Sequence, residues 1–322
     1  MEIHLPNSAF LGNIDPFIRS YRPNNKKELK ISFNDAWVSV HPVVLCMVAS
    51  LGLYVSNGGG EIFCQKPTAT SKHYLERMGL FQILELDSEI KIKSHESAGR
   101  FIPLTQIFNS QELYKFITEM IPLLHSEPSH VEPIKYVISE LVRNVFEHSE
   151  SEMGAIVCAQ YHKKNNVIRI GVVDSGIGIR KSISYSYETE DDLHALQLAL
   201  TPGITGKTRN IGGTETNAGA GLFFIKSIAK VNRDFFVIYS GNALYKLLKT
   251  LPGSPIKLNM NPFEDRSSRS NNFPYWQGTV VGIDISLNRH QTFDKLLELI
   301  RETYFKDIKE RKKERFKKPK FI

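Results

Sequence analysis

Apolar and polar positions change period along this chain, and each change marks an element. Apolar residues recur at helical spacing over 111–124 and again over 132–147. The runs 154–161 and 167–173 read as strands joined by a turn at 163–166. Residues 235–239 and 243–248 predict a hairpin around Ser240-Gly241-Asn242, and 279–285 alternates as a last strand. Helices are predicted over 193–200, 221–231 and 293–305, the last running on into the C-terminal segment. Upstream, 29–33 is a short strand, and Pro42 suits the first turn of a helix ending near 56. Asn57-Gly58-Gly59-Gly60 breaks that helix. Residues 61–65 are β-rich, and 71–78 is helical with Gly79 as its C-cap. The polar first thirty residues read as an arm or a first strand, and 252–274 as a polar loop. The class predicted is α/β (α+β), with a small α/β domain over 1–110, a larger domain with a mixed sheet over 111–305, and a tail over 306–322.

Charge changes the picture only at the C-terminus. Of a formal net charge of +7, the stretch 306–320 supplies +6, from nine Lys/Arg against three acids. A basic tail is therefore expected, not a basic surface. Hydrophobic residues form 41% of the chain, enough for a sizeable core. The longest apolar stretch, 43–55, is too short to span a bilayer, and 1–11 has neither the basic start nor the apolar run of a signal peptide. Cys46, Cys64 and Cys158 are far apart and show no zinc spacing, which fits reduced thiols. A cytoplasmic protein with no membrane association is expected.

Four short motifs carry the candidate chemistry. Glu140, Asn144 and His148 stand at i, i+4 and i+8 and form one stripe on the 132–147 helix and its end. An Asn amide oxygen is a hard neutral ligand for Mg²⁺, and a Glu one turn away can accept a proton. A helix with its polar residues on the wet side gives the same stripe. Asp174-Ser175-Gly176-Ile177-Gly178 follows an apolar strand. A carboxylate there can accept an exocyclic amine, and the glycines let backbone approach a ring or phosphates. An ordinary Asp/Gly turn has the same composition. Gly219-Ala220-Gly221-Leu222 opens the 221–231 helix, where free amides and the helix dipole suit phosphate. Finally, Gly278-Thr279 puts a hydroxyl at the start of the last strand. The run 203–208 ends like a P-loop, but Thr201 stands where its first glycine belongs and the preceding residues look helical, so it is rejected as one.

The order Glu140-x-x-x-Asn144, Asp174-x-Gly176-x-Gly178, Gly219-x-Gly221-Leu222, Gly278-Thr279 resembles the GHKL ATPases. These comprise DNA gyrase, the ninety-kilodalton heat-shock chaperone, sensor histidine kinases and MutL. The run from Glu140 to His148 looks most like the N box of histidine kinases and anti-sigma-factor serine kinases. The resemblance covers about 120–290. It implies a left-handed α/β sandwich with ATP between the helices and a mixed sheet. It also implies that Asp174 binds adenine, Gly176 and Gly178 line the adenine pocket, and Thr279 assists there. Asn144 would hold Mg²⁺, Glu140 would act as base or positioning group, and Gly219, Gly221 and Leu222 would meet phosphates. Residues 180–218 would be a mobile lid, from which Lys207 can reach a phosphate. The sequence departs from the pattern at Phe223-Phe224, where many relatives have another Gly. His125 and His130 lie in a proline-bearing stretch, so autophosphorylation on histidine is not expected. The N-terminal unit weakly resembles STAS-like regulatory modules through 61–65 and 71–81.

Three functions follow as alternatives. One is a Mg²⁺-dependent ATPase or ATP-driven switch acting on a protein partner or within a homodimer. Another is a serine/threonine kinase of the anti-sigma type. The third is a non-catalytic nucleotide sensor that binds nucleic acid through the basic tail.

Overall fold

The computed structural model describes residues 1–88, 90, 101–120, 128–206, 220–251, 253–287 and 293–316. In chain order the elements are β1 (Glu2–Leu5), β2 (Ser8–Ala9), α1 (Asp15–Ser20), β3 (Glu28–Phe33), β4 (Ser39–Val40), α2 (Pro42–Asn57), β5 (Glu61–Cys64), α3 (Lys72–Arg77), α4 (Leu80–Ile83), β6 (Phe101–Ile107), α5 (Ser110–Lys115), α6 (Pro128–His148), β7 (Ala155–His162), β8 (Val167–Asp174), α7 (Gly178–Ser184), α8 (Asp192–Ala199), α9 (Gly221–Val231), β9 (Phe236–Gly241), β10 (Ala243–Leu247), β11 (Ser267–Ser270), β12 (Trp276–Ser286) and α10 (Phe293–Phe316). The mixed α/β class is thus as the hydrophobic pattern predicts.

The frame is a seven-stranded sheet in the order β11-β10-β9-β12-β8-β7-β6. Every recorded pairing in it is antiparallel, which corrects the expected mixed sheet. Parallel pairing occurs instead in a small sheet, β1-β3-β5, and between β2 and β4. Strand side chains alternate between faces, and the large sheet has a core on each. Ile168, Ile170, Val172, Ile238, Val281 and Ile283 join the core beneath α6 to α10. Ile156, Cys158, Val173, Tyr239 and Val280 join a second core made with the N-terminal unit.

α2 explains the apolar run at 43–55. Nearly all of its residues are buried, because it lies between the small sheet and strands β7, β8 and β12 of the large one. A helix apolar all round belongs in such a place. Among the described residues, no helix is long and apolar enough to cross a membrane. The first thirty residues are no arm: β1 pairs with β3, and Leu5, Leu11, Ile14, Phe17 and Ile18 are buried in the second core.

A polar joint fixes α2 to the large sheet. Buried His41 caps the helix, its Nδ1 accepting from the Val43 N–H at 3.1 Å. Its Nε2 stands 3.3 Å from Asp284 Oδ1 on β12, and Arg169 Nε on β8 lies 3.7 Å from the same oxygen. The Arg169 guanidinium in turn covers the Phe10 ring at 4.4 Å.

Several elements stand where the sequence shows none, β6, β11 and α7 among them. β6 contains Pro103 and its register shifts between Ile102 and Thr105, as suits a proline on an edge strand. β11, inside the expected polar loop, is Ser-Ser-Arg-Ser on the opposite edge. α7 begins at Gly178, within a motif read as a turn.

Candidate functional site

α6 carries its polar stripe as the helical spacing predicts. Its Ile134, Val137, Ile138 and Val142 are buried in the core, while Glu140, Leu141, Asn144, Val145 and His148 line a cavity. Val172 and Asp174 of β8 with Thr279 and Val281 of β12 add to its lining. α7 contributes Ile179, Ser182 and Ile183, and the start of α9 contributes Gly221 and Leu222. The empty space, counted out to the mouth, is about 850 Å³.

Asp174 occupies the last position of β8 and pairs directly with Thr279 on β12. It is only 4% exposed. One carboxylate oxygen accepts the Gly176 N–H at 2.8 Å, and both the hydroxyl and the N–H of Thr279 donate to the group. Burial pushes the carboxyl up to about 6, and those three donors limit the rise. Gly176 itself does not line the cavity. A Cβ there would fall 2.0 Å from the Ser149 carbonyl oxygen, so the glycine permits the 175–177 turn to press on the end of α6. The same oxygen accepts the Ile177 N–H at 2.7 Å. Behind Gly178, Ser240 Oγ accepts the Ile179 N–H at 3.0 Å and donates to the Gly278 carbonyl at 2.6 Å.

The other end of the cavity combines Glu140, Asn144 and the start of α9. Burial raises the Glu140 carboxyl above its ordinary value; Arg143 opposes this and Glu147 adds to it. A Cβ on Gly221 would stand 2.0 Å from Glu140 Oε1, so α9 begins hard against that carboxylate. The side-chain amide nitrogen of Asn144 is buried without a hydrogen-bond partner. Oxygen and nitrogen of an Asn amide are assigned by their surroundings, so this amide has hydrogen-bonding or ligating capacity left for a guest. No group of three or more His, Cys, Asp or Glu able to hold a metal occurs among the described residues. Mg²⁺, by contrast, needs few protein ligands when phosphates and water complete its shell.

Seven of the residues singled out by sequence thus share one cavity: Glu140, Asn144, Asp174, Gly178, Gly221, Leu222 and Thr279. Gly176 stands just behind it, and Lys207 and Gly219 lie outside the described residues. The segment expected as a lid divides. Its part up to 206 forms α7 and α8, whose Ile183, Ala195 and Leu196 are buried in the core. The rejected P-loop is preceded by α8 and not by a strand, yet its Ile204, Thr205 and Gly206 line the cavity. Ser149 and Ser182 are polar lining residues that motif reading passed over, and Thr205 is one from the rejected run. Ser182 alone had a signal, one turn after Gly178 on the same helix. Phe223 and Phe224, the departure in the phosphate-loop pattern, pack on Tyr304 of α10 at centroid distances of 6.5 and 6.0 Å.

Compared with models of protein families and with curated proteins, the chain finds no match.

Proposed function

We propose that this cavity binds ATP with Mg²⁺ and that the protein is an ATPase or ATP-driven switch acting on a protein partner. One observation carries the reading. A buried carboxylate paired with a hydroxyl, Asp174 with Thr279, lines the same cavity as the Glu140–Asn144 stripe and the first residues of α9. The four motifs that resemble those of the GHKL ATPases are far apart in sequence, and this proximity is what a shared ligand would require.

The residues present suit such a guest. Asp174 has an acceptor to offer an exocyclic amine, held in place by Gly176 and Thr279. Asn144 brings an unpartnered amide whose oxygen is a hard ligand. Gly221 and Leu222 bring the N-terminal end of an eleven-residue helix, where the dipole and free amides favour phosphate. Glu140, held above the usual carboxylate range by burial, is placed to accept a proton from water or a hydroxyl. Bound with Mg²⁺, ATP would supply a transferable phosphoryl group. The same placement of Glu140 serves a serine/threonine kinase, in which the acceptor hydroxyl comes from another protein.

Titration calorimetry with ATP and Mg²⁺ tests the reading. Binding is expected for the wild type, with at least a tenfold loss, about 1.4 kcal/mol, in Asp174→Ala. Glu140→Gln should retain binding and lower turnover by about 10²-fold or more. A wild type that takes up no adenine nucleotide would refute the proposal. Radiolabel appearing on a second protein, in place of free phosphate, would select the kinase.

A further inference from the structure

A second cleft adjoins the 174–178 turn, between the N-terminal unit and the start of β12. Neighbouring residues serve the two spaces. Asp174 lines the first cavity and Ser175 the second; Thr279 lines the first and Gln277 the second. The cleft encloses about 440 Å³ out to its mouth.

Its chemistry is one-sided. Tyr21, Tyr54, Tyr275 and Trp276 give it aromatic walls. Tyr21 and Trp276 meet edge to face at 5.8 Å, the geometry ring quadrupoles favour. Lys26 lines the cleft, with its ammonium 6.0 Å from the Tyr54 ring centroid, and among the described residues no carboxylate residue lines it. Trp276 is 1% exposed, yet its indole N–H is buried without an acceptor. An indole N–H can only donate, and leaving it unmet costs free energy. Tyr21 is also under-used, since its hydroxyl meets only the Met1 sulfur, a weak acceptor, at 3.2 Å. The walls therefore present ring faces and a cation, and one lining side chain keeps an unmet donor below the surface.

We propose that this cleft is a second ligand site, for a small aromatic anion of which an aromatic carboxylate is the simplest form. Its ring lies against Tyr54 and Tyr275, beside Trp276, and its acidic group meets Lys26. The site stands whatever the first cavity holds. Gln277, whose side-chain amide donates to the Gly176 carbonyl, ties it to the turn that carries Asp174.

The test uses the full chain labelled at its two tryptophans, Trp37 and Trp276. Trp37→Phe assigns their indole N–H resonances; Trp37 is 49% exposed, so that variant should fold. Benzoate is titrated, with acetate as the non-aromatic anion and benzylamine as the aromatic cation. The expected result is a saturable shift of the Trp276 resonance with benzoate alone, with a dissociation constant of about 1 mM or tighter. Lys26→Ala should weaken it about fivefold, as loss of one partly exposed charge contact would. A Trp276 resonance unmoved by benzoate overturns the proposal. So does an equal response to benzylamine or acetate, or an affinity indifferent to Lys26→Ala.

Discussion

A carboxylate at a buried strand end is costly unless a cation meets its charge, and among the described residues Asp174 meets only neutral donors. Its pKa accordingly stands at about 6 against an ordinary 3.8. The folded protein holds this proton more tightly than the unfolded chain. Ionisation of Asp174 therefore opposes folding: the penalty is absent well below pH 3.8, grows through the interval and is complete above pH 6. A shift of that size corresponds to about 3 kcal/mol at neutral pH. Asp174→Asn removes the charge and keeps an acceptor for Gly176, while the Thr279 hydroxyl can turn to accept from the new amide. Thermal unfolding should show the variant more stable than wild type at pH 7.5, with the gap closed near pH 4. A variant equally destabilised at both values would mean that the site meets this charge more fully than its neutral donors suggest. The same titration sets a pH window for the proposed ligand: an amine donor at Asp174 should bind less well as pH falls through 6.

At the scale of elements, two glycines with equally short virtual contacts should behave differently. A Cβ on Gly176 would stand 2.0 Å from a backbone oxygen, that of Ser149, which also holds the Ile177 N–H. Backbone cannot swing aside, so Gly176→Ala should cost about 2 kcal/mol or more, measured by denaturant unfolding. A Cβ on Gly221 would stand 2.0 Å from Glu140 Oε1, the far end of a flexible side chain. Gly221→Ala should leave stability within about 1 kcal/mol of wild type while displacing Glu140, so that turnover falls and folding does not. The candidate site was legible at this scale because two motifs sit at element ends, Asp174 closing β8 and Gly221 opening α9, and the α6 stripe keeps strict helical spacing. The elements the sequence hid are those in which local signals conflict with position. Pro103 disguises β6, an all-polar tetrapeptide disguises β11, and the Gly-Ile-Gly of α7 reads as a turn. Outside the two turn-joined pairs, β7–β8 and β9–β10, strand direction was not legible either. Alternation fixes which face a residue takes but not which way a neighbour runs, and the antiparallel order emerges only from the pairing.

For the whole molecule, the large sheet is apolar on both faces, and among the described residues its second face is covered mainly by the N-terminal unit. Ile156, Cys158, Val173, Val237 and Tyr239 share a core with α2 and the small sheet. A chain beginning at 101 would expose that face, so it should aggregate where the full chain does not. His41 makes the contact pH-dependent. Burial lowers its pKa below 6.5, although Asp284 opposes the shift and Arg169 adds to it. The unfolded chain thus takes up this proton more readily, and the stability that neutral His41 provides is lost as pH falls below about 6.5. Protonation also removes the Nδ1 lone pair that accepts the Val43 N–H at the start of α2. This runs opposite to Asp174, whose effect favours the fold in acid. His41→Asn keeps an oxygen able to cap the helix and cannot titrate in this range. Denaturant unfolding at pH 7.5 and 5.5 should show the variant losing less stability than wild type across the interval, even if it starts lower. An equal loss in both proteins would mean that the joint between the N-terminal unit and the sheet is held by packing alone.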